Sequence, residues 1–387
     1  MNYANKIISG VDQLNDYKEK YYNNRVALLT TGSAMDRHSN ATLSVVNNLF
    51  ELTSLFGAEF GVMGERAAGE RYSSYQDIWT GLTVFSLYRY GGFHLSREML
   101  ASFDLLMIDL PLSGLRYDSY ISTIHRLLRQ LGETDKKVVI LDRANPLGGK
   151  VVEGPVLRKG SKLDEDEVSI PIRHGLTLGE LALIMNGVDE LGADLEVIAV
   201  KNWERALTQS DTDRPWGVPQ IDYPNFDAGL LASGLTIFEG TNISIGKGTS
   251  LPYQVIGAPF LDAIQLAANL NKTYQSGVLF SPIYFTPASG IYQGTKCQGI
   301  KINIMQRAKV KPLRVALTIL SELKRLGGDD IVFLEYEEDN GNGLLIDHLY
   351  GNGRLSRQYA EHNELWREAT KEVSKFQEDF QDYLLYE

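Results

Sequence analysis

Short apolar runs alternate with amphipathic stretches over the first two hundred residues. RVALLTT (25–31), LTVFSLY (82–88), FDLLMIDL (103–110), KKVVILD (136–142) and LEVIAV (195–200) are rich in β-branched and long apolar side chains, which predicts strands. Helical spacing fills intervals around 40–56, 119–132 and 177–191. In the second of these, Ile121, Ile124, Leu128 and Leu131 recur at steps of three and four, giving one apolar face. Near-continuous apolar strands alternating with helices predict a parallel sheet covered on both sides, a Rossmann-like α/β domain. From about residue 232 the order changes. GLTIFEG, GVLFSPIYF, GIKINIM and DIVFLEYE read as strands, with a helix at 312–326 and another at the end, so a smaller α+β C-terminal domain is expected. The stretch 208–227 is dense in turn residues, and we place the domains at 25–231 and 232–387, preceded by a helical extension over 1–24. In the last helix Leu365, Ala369, Val373, Phe376, Phe380 and Leu384 share a face whose back is acidic, the pattern of a docking helix with a solvated side.

Composition narrows the class. A chain of 387 residues with 43% hydrophobic and 22% charged residues is that of an ordinary globular protein, long enough for two cores. The net charge of −11, without a basic run, opposes nucleic-acid or anionic-membrane partners. Cys297 is the single cysteine, so neither a disulfide nor a thiolate cluster forms within the chain. The six histidines lack HExxH spacing, and no metal or cofactor is expected. No run is long and apolar enough to span a bilayer, and MNYANKIISGVDQLNDYKEKYYNNR lacks the apolar core of a secretory leader. A cytoplasmic protein is expected.

Ligands of parallel sheets gather at the carboxyl ends of the strands, and the informative loops follow the strands here: LPLSGLRYDSY after FDLLMID, and RANPLGGKVVEGP after KKVVILD. In IPIRHGLTLGELA, Thr177 and Glu180 have the spacing of a capping box. The stretch 143–175 is long for a loop in a compact domain, and its acid run DEDE (164–167) reads as solvated surface. FEGTNISIGKGTSLPYQVIGAP (238–259) combines glycines, hydroxyls, an amide, an acid and a lysine. It is not a P-loop, because five residues rather than four separate Gly240 from the Gly246–Lys247 pair and Gly248 follows the lysine. No GxGxxG follows the first strand, so the dinucleotide fingerprint is also absent.

VVILDRANPLGGKVVEGP, IRHGLTLGELA and FEGTNISIGKGTSLPYQVIGAP resemble three signature segments of the exo-β-N-acetylmuramidase (NamZ) family, formerly a family of unknown function. TGLTVFSLY, NWERA, PWGVP and CQGIKINI match in order, from about residue 25 to the C-terminus. The resemblance implies an active cleft between the two domains and removal of a terminal N-acetylmuramic acid, or a related amino sugar, from peptidoglycan fragments. Such hydrolysis needs a carboxylic acid for the leaving oxygen and a second group at the oxocarbenium-like centre. Glu59 and Asp118 are the catalytic candidates. The lactyl carboxylate of muramic acid calls for cations or amide donors. Arg116, Arg143, His174 and Lys247 are candidates for it, with Tyr120, Asn145, Glu153, Glu239 and Asn242 as further substrate contacts.

The chain departs from the family pattern at three places. The family's PEHG stands as AEFG (58–61), so Glu59 remains while Phe60 replaces a histidine. QDVGxRxYTY stands as PLSGLRYDSY (111–120): Arg116 and Tyr120 persist, Leu112 replaces an aspartate and Asp118 a tyrosine. Ala144 replaces a proline. Phenylalanine and leucine can neither move a proton nor hydrogen-bond a hydroxyl. Two readings stay open: a hydrolase acting on muramic acid or a related sugar, with Asp118 supplying a displaced carboxylate, or a silent relative that binds cell-wall fragments without cutting them.

Overall fold

The computed structural model describes residues 6–89, 92–159, 166–217, 223–274, 276–338 and 341–387. Strands β1 (Arg25–Thr30), β2 (Glu51–Gly57), β3 (Tyr75–Gln76), β4 (Thr83–Ser86), β5 (Leu105–Asp109) and β6 (Lys137–Leu141) belong to one sheet. After a small antiparallel pair, β7 (Glu153–Val156) and β8 (Pro171–Arg173), the sheet is completed by β9 (Asp194–Ile198). Its order is β3-β4-β2-β1-β5-β6-β9, and only the β3–β4 edge is antiparallel. The chain therefore winds outward from β1 to β4, returns, and winds the other way from β5 to β9. The reversal between β1 and β5 opens a crevice at their carboxyl ends.

The alternation of side chains along each strand explains the unbroken apolar runs. Ala27, Leu29, Leu106, Ile108, Val138 and Ile140 enter one core, while Val26, Leu28, Leu105, Met107, Val139 and Leu141 enter the other. Successive residues face opposite sides of a strand, and here both sides are covered. The helix Ser119–Leu131 buries Ile121, Ile124, Leu128 and Leu131 in the first core, as its spacing predicts. The helix Leu178–Val188 joins it, entered through a capping box in which Thr177 Oγ1 accepts from Glu180 N and Glu180 Oε2 accepts from Thr177 N. The second core is closed by the helix Thr42–Leu49 and the 3₁₀ turn Gly10–Tyr17. That turn is a packed layer rather than an extension. Gly10 N donates to Asp142 O at 2.8 Å, and a Cβ at Gly10 would come within 2.7 Å of the Leu141–Asp142 backbone.

The second half carries the antiparallel strands β10 (Val255–Ala258), β11 (Val278–Phe285) and β12 (Cys297–Ile304), in the order β10-β12-β11. They share a core with the helices Phe226–Leu235, Ala263–Thr273 and Pro312–Gly327, and Leu115, Leu147 and Ile172 of the first half enter the same core. The last helix, His362–Asp379, ties the halves together: Leu365 lies in this core and Phe376 in that of the large sheet.

Several expectations are corrected. The helix expected over 40–56 ends at Leu49, and Glu51–Gly57 is strand β2, paired in parallel with β1. Leu49, Leu52 and Phe56 fit helical spacing, but pairing with β1 buries Leu55 and Phe56 completely, and tertiary pairing overrides the local pattern. GLTIFEG is the end of the helix Phe226–Leu235 followed by a 3₁₀ turn, Thr236–Gly240. Residues 228–235 of that helix are all buried, so no amphipathic period marks it, and an apolar run cannot by itself tell a buried helix from a strand. The expected division at 231/232 lies inside this helix. In DIVFLEYE, only Glu335–Glu338 is strand. The acid run is not simply solvated: Asp166 is buried and accepts from His125, Arg126 and Arg129 at 2.8–3.2 Å, whereas positions 164 and 165 lie outside the described residues.

Candidate functional site

A cleft of about 910 Å³ opens where the carboxyl ends of β2, β4 and β5 meet the second half of the chain. From the first half it is lined by Glu59 and Phe60 after β2, Tyr88 after β4, and Arg116 to Ser119 after β5; from the second half by Glu239, Lys247, Tyr253 and His348. This volume lies within the range of small-molecule sites.

Glu59 is half-buried, and its Oε1 accepts from Gly69 N at 2.9 Å, so the carboxyl is oriented by a backbone donor. Phe60 meets the Tyr120 ring edge-on, with centroids 5.9 Å apart. Asp118 immediately precedes the helix Ser119–Leu131. Its carboxylate accepts from Ser113 N and Ser113 Oγ, both at 2.8 Å. Burial pushes its pKa up to about 7 even though these bonds act the other way, as expected when removal from water outweighs hydrogen bonding to the charged form. At neutral pH Asp118 therefore carries its proton part of the time. The charges of Asp118 and Glu59 both reach the Tyr120 hydroxyl, whose pKa is raised chiefly by burial.

On the opposite half, Lys247 pairs with Glu239 at 3.0 Å, and Tyr253 Oη donates to Glu239 Oε1 at 2.9 Å. Gly246 and Gly248, both at φ 78°, turn the loop so that Lys247 reaches the cleft; this left-handed conformation favours glycine. Glu239 and Lys247 both line the cleft, and the two also staple each other.

Arg116 lines the cleft but works as a clamp. Its Nη1 donates to Pro155 O and Ile170 O at 2.7 and 3.0 Å, and its Nη2 to Leu349 O and Tyr350 O at 2.9 and 3.2 Å. Tyr117 Oη donates to Leu349 O as well, at 2.9 Å. A cation at carbonyls ending a helix is favourable, and the short helix Leu345–Tyr350 that it holds carries His348 into the cleft.

The other candidates do not line the cleft. Tyr120 is buried behind Phe60. Arg143 is neutralised by Asp109, with Nε to Oδ1 at 2.5 Å and Nη2 to Oδ2 at 2.7 Å, and with Asn145 it lines a separate cavity of about 90 Å³. Asn145 donates to Leu176 O and accepts from Leu147 N, both at 2.9 Å, fixing its own loop. Glu153 is buried, accepts from Leu313 N at 2.8 Å in the first turn of the helix Pro312–Gly327, and is pushed up to about 7 by burial. His174 is fully buried, its Nδ1 accepts from Leu176 N at 3.0 Å, and burial holds its pKa down at about 3. It is neutral and cannot serve as the cation suggested for it. Asn242 donates to Asp330 O and accepts from Val332 N at 2.8 and 2.9 Å, tying the loop to the following segment.

Sequence reading missed Arg71, Tyr88, Arg126, Glu167, Tyr253 and His348, all of which line the cleft. Tyr88 ends an apolar strand run and was detectable by the strand-end rule. His348 and Glu167, 3.3 Å apart, come from regions with no motif, and only the fold brings them together. Of the four positions that depart from the family pattern, Phe60 and Asp118 line the cleft, while Leu112 and Ala144 line the smaller cavity.

Residues 26–227 match the N-terminal and residues 230–386 the C-terminal domain family of exo-beta-N-acetylmuramidase NamZ. The peptidoglycan beta-N-acetylmuramidase NamZ of Bacillus subtilis (strain 168) is 34% identical over 346 residues, which cover 88% of this chain and 83% of that protein. Crystal structures of two DUF1343 family proteins from Bacteroides fragilis NCTC 9343 superpose with TM-scores of 0.86 and 0.75, at 28% and 25% identity, covering 99% of each chain. With both domain families matched in order across nearly the whole chain, this protein belongs to the exo-beta-N-acetylmuramidase NamZ family.

Proposed function

We propose that this chain is an exo-acting glycoside hydrolase that removes a terminal N-acetylmuramic acid, or a related amino sugar, from peptidoglycan fragments. The observation that carries the reading is the placement of two carboxyl groups of different character on one cleft: Glu59, half-buried and oriented by Gly69 N, and Asp118, buried and pushed up to about 7. Paired carboxyls in unlike environments suit a division between proton donor and charged partner. In the reaction the bond from the anomeric carbon to the leaving oxygen breaks, that oxygen receives a proton from one carboxyl, and water gives its hydroxyl to the anomeric carbon and its other proton to a carboxylate of the pair. Glu59, the more accessible of the two, is the group assigned to proton transfer, and Asp118, lining the same cleft, is the second carboxyl. Glu239, Lys247 and Tyr253 form the wall on which the sugar hydroxyls would be oriented.

The silent-relative reading rests on Phe60 and Leu112. Leu112 lines the smaller cavity, so its lack of a polar group takes nothing from the cleft, which favours the hydrolytic reading. The test is release of chromophore from a 4-nitrophenyl β-N-acetylmuraminide by the purified chain at neutral pH. Turnover above the buffer rate supports hydrolysis, while tight binding of the glycoside without turnover supports the silent relative.

A further inference from the structure

The cations of the cleft are not equivalent. Arg66 is held by Glu70 at 2.9 Å, Arg126 by Asp166 at 2.8 Å, Lys247 by Glu239 at 3.0 Å, and Arg116 by four backbone carbonyl contacts. Arg71 differs: among the described residues no carboxylate lies within ion-pair distance, and its guanidinium sits over the Tyr88 ring, 4.0 Å from the centroid. Stacking of this kind holds the planar group by its face and leaves its N–H edge turned outward. That edge matches a carboxylate, which accepts two parallel hydrogen bonds from one guanidinium.

The mounting of Arg71 is rigid and is tied to Glu59. Two residues before it, Gly69 N donates to Glu59 Oε1 at 2.9 Å. One residue after it, Tyr72 N donates to Tyr88 O at 3.1 Å, and the buried Tyr72 hydroxyl donates to Ala58 O at 2.5 Å. The segment is thus fastened to the Glu59 carboxyl, to the backbone of Ala58 beside it, and to the residue on which Arg71 stacks. The Tyr88 hydroxyl, raised in pKa chiefly by burial, feels both the Glu59 carboxylate and the Arg71 guanidinium, so the two side chains share one neighbourhood of the cleft.

We propose that Arg71, seated on Tyr88, is the residue that reads a carboxylate on the terminal sugar, and so sets the preference of the cleft for acidic amino sugars. This assignment rests on the hydrolytic reading above and deepens it. A sugar whose glycosidic oxygen approaches Glu59 places an acidic substituent of the same ring within the reach of an arginine fastened to the same backbone. Arg71 binds and positions; it takes no part in proton transfer.

The experiment compares kcat/KM for 4-nitrophenyl β-N-acetylmuraminide, with its free lactyl carboxylate, against the methyl ester of the same glycoside, in the wild-type chain, R71Q and R71K. The wild-type chain is expected to prefer the free acid by about tenfold or more, the scale of a charged hydrogen bond. R71Q is expected to lose most of that preference through KM rather than kcat, and R71K, which keeps the charge without the planar fork, to retain part of it. Arg71 is exposed, and R71K guards against any loss of fold in R71Q. The proposal is overturned if R71Q keeps the wild-type preference, or if it loses both substrates equally. A wild-type chain that cleaves neither glycoside overturns the hydrolytic reading and this assignment with it, whereas a wild-type chain that cleaves both without preference overturns the assignment alone.

Discussion

Two cavities lie at the carboxyl ends of the same sheet and are finished in opposite ways. The smaller, about 90 Å³, is lined by Arg143, Arg214 and Arg37. Each of these meets an aspartate: Asp109 with two bonds, Asp12, and Asp213 at 3.8 Å. The larger, about 910 Å³, keeps Glu59 half-buried, leaves Arg71 without an ion-pair partner among the described residues, and holds Asp118 in surroundings that favour its protonated form. A charged residue after a strand is therefore not in itself a sign of chemistry. What separates anchor from site is whether the fold supplies its partner.

The comparison breaks first under exchange of the groups that define each cavity. Glu59→Gln is expected to lower kcat/KM on a muramic acid glycoside by about 10²–10⁴-fold, the range for loss of a general acid or base, with little change in the thermal midpoint. Arg143→Met should do the reverse. It leaves Asp109 buried and unpaired, and is expected to cost about 3–5 kcal/mol of stability, read by denaturant titration.

The sheet was legible in the sequence and the cavities were not, for physical reasons. Strands β1, β4, β5 and β6 announce themselves because two covered faces leave their central positions apolar, and β9 by an apolar run interrupted at Glu196. β2 was lost because Leu49, Leu52 and Phe56 imitate a helix, and the helix Phe226–Leu235 because it is buried on every side. Glu59, Asp118, Glu239 and Lys247 were recoverable from the segments compared with the family pattern, and they do line the cleft. Arg143, His174 and Glu153 share those signals, yet the fold ties them to Asp109, Leu176 and Leu313. The neutralising partners are distant in sequence, so no local pattern reports them. The same holds for Glu167 and His348, which meet from opposite halves of the chain.

Smaller effects sharpen the contrast. Arg116→Ala removes the bonds that hold the helix Leu345–Tyr350 at the cleft wall, and is expected to cost about 1–3 kcal/mol by leaving buried carbonyls unsatisfied, with partial recovery in Arg116→Lys. Asp118 gives a pH signature. Its folded pKa of about 7 lies above that of an unfolded aspartate, so the unfolded chain binds fewer protons between the two values and this group's contribution falls as pH rises through that window. The thermal midpoint of Asp118→Asn relative to the wild-type chain should therefore rise from pH 4.5 to pH 8. Lys247→Ala is expected to change stability least, by no more than about 1 kcal/mol, because the pair with Glu239 is partly exposed and such pairs contribute little.

The most direct measurement is a crystal structure of the chain with N-acetylmuramic acid bound. The sugar is expected in the large cleft, with its anomeric carbon beside the Glu59 carboxyl and its carboxylate toward Arg71. A sugar bound in the smaller cavity beside Arg143, or on the outer surface with the cleft unfilled at saturating ligand, would contradict the account.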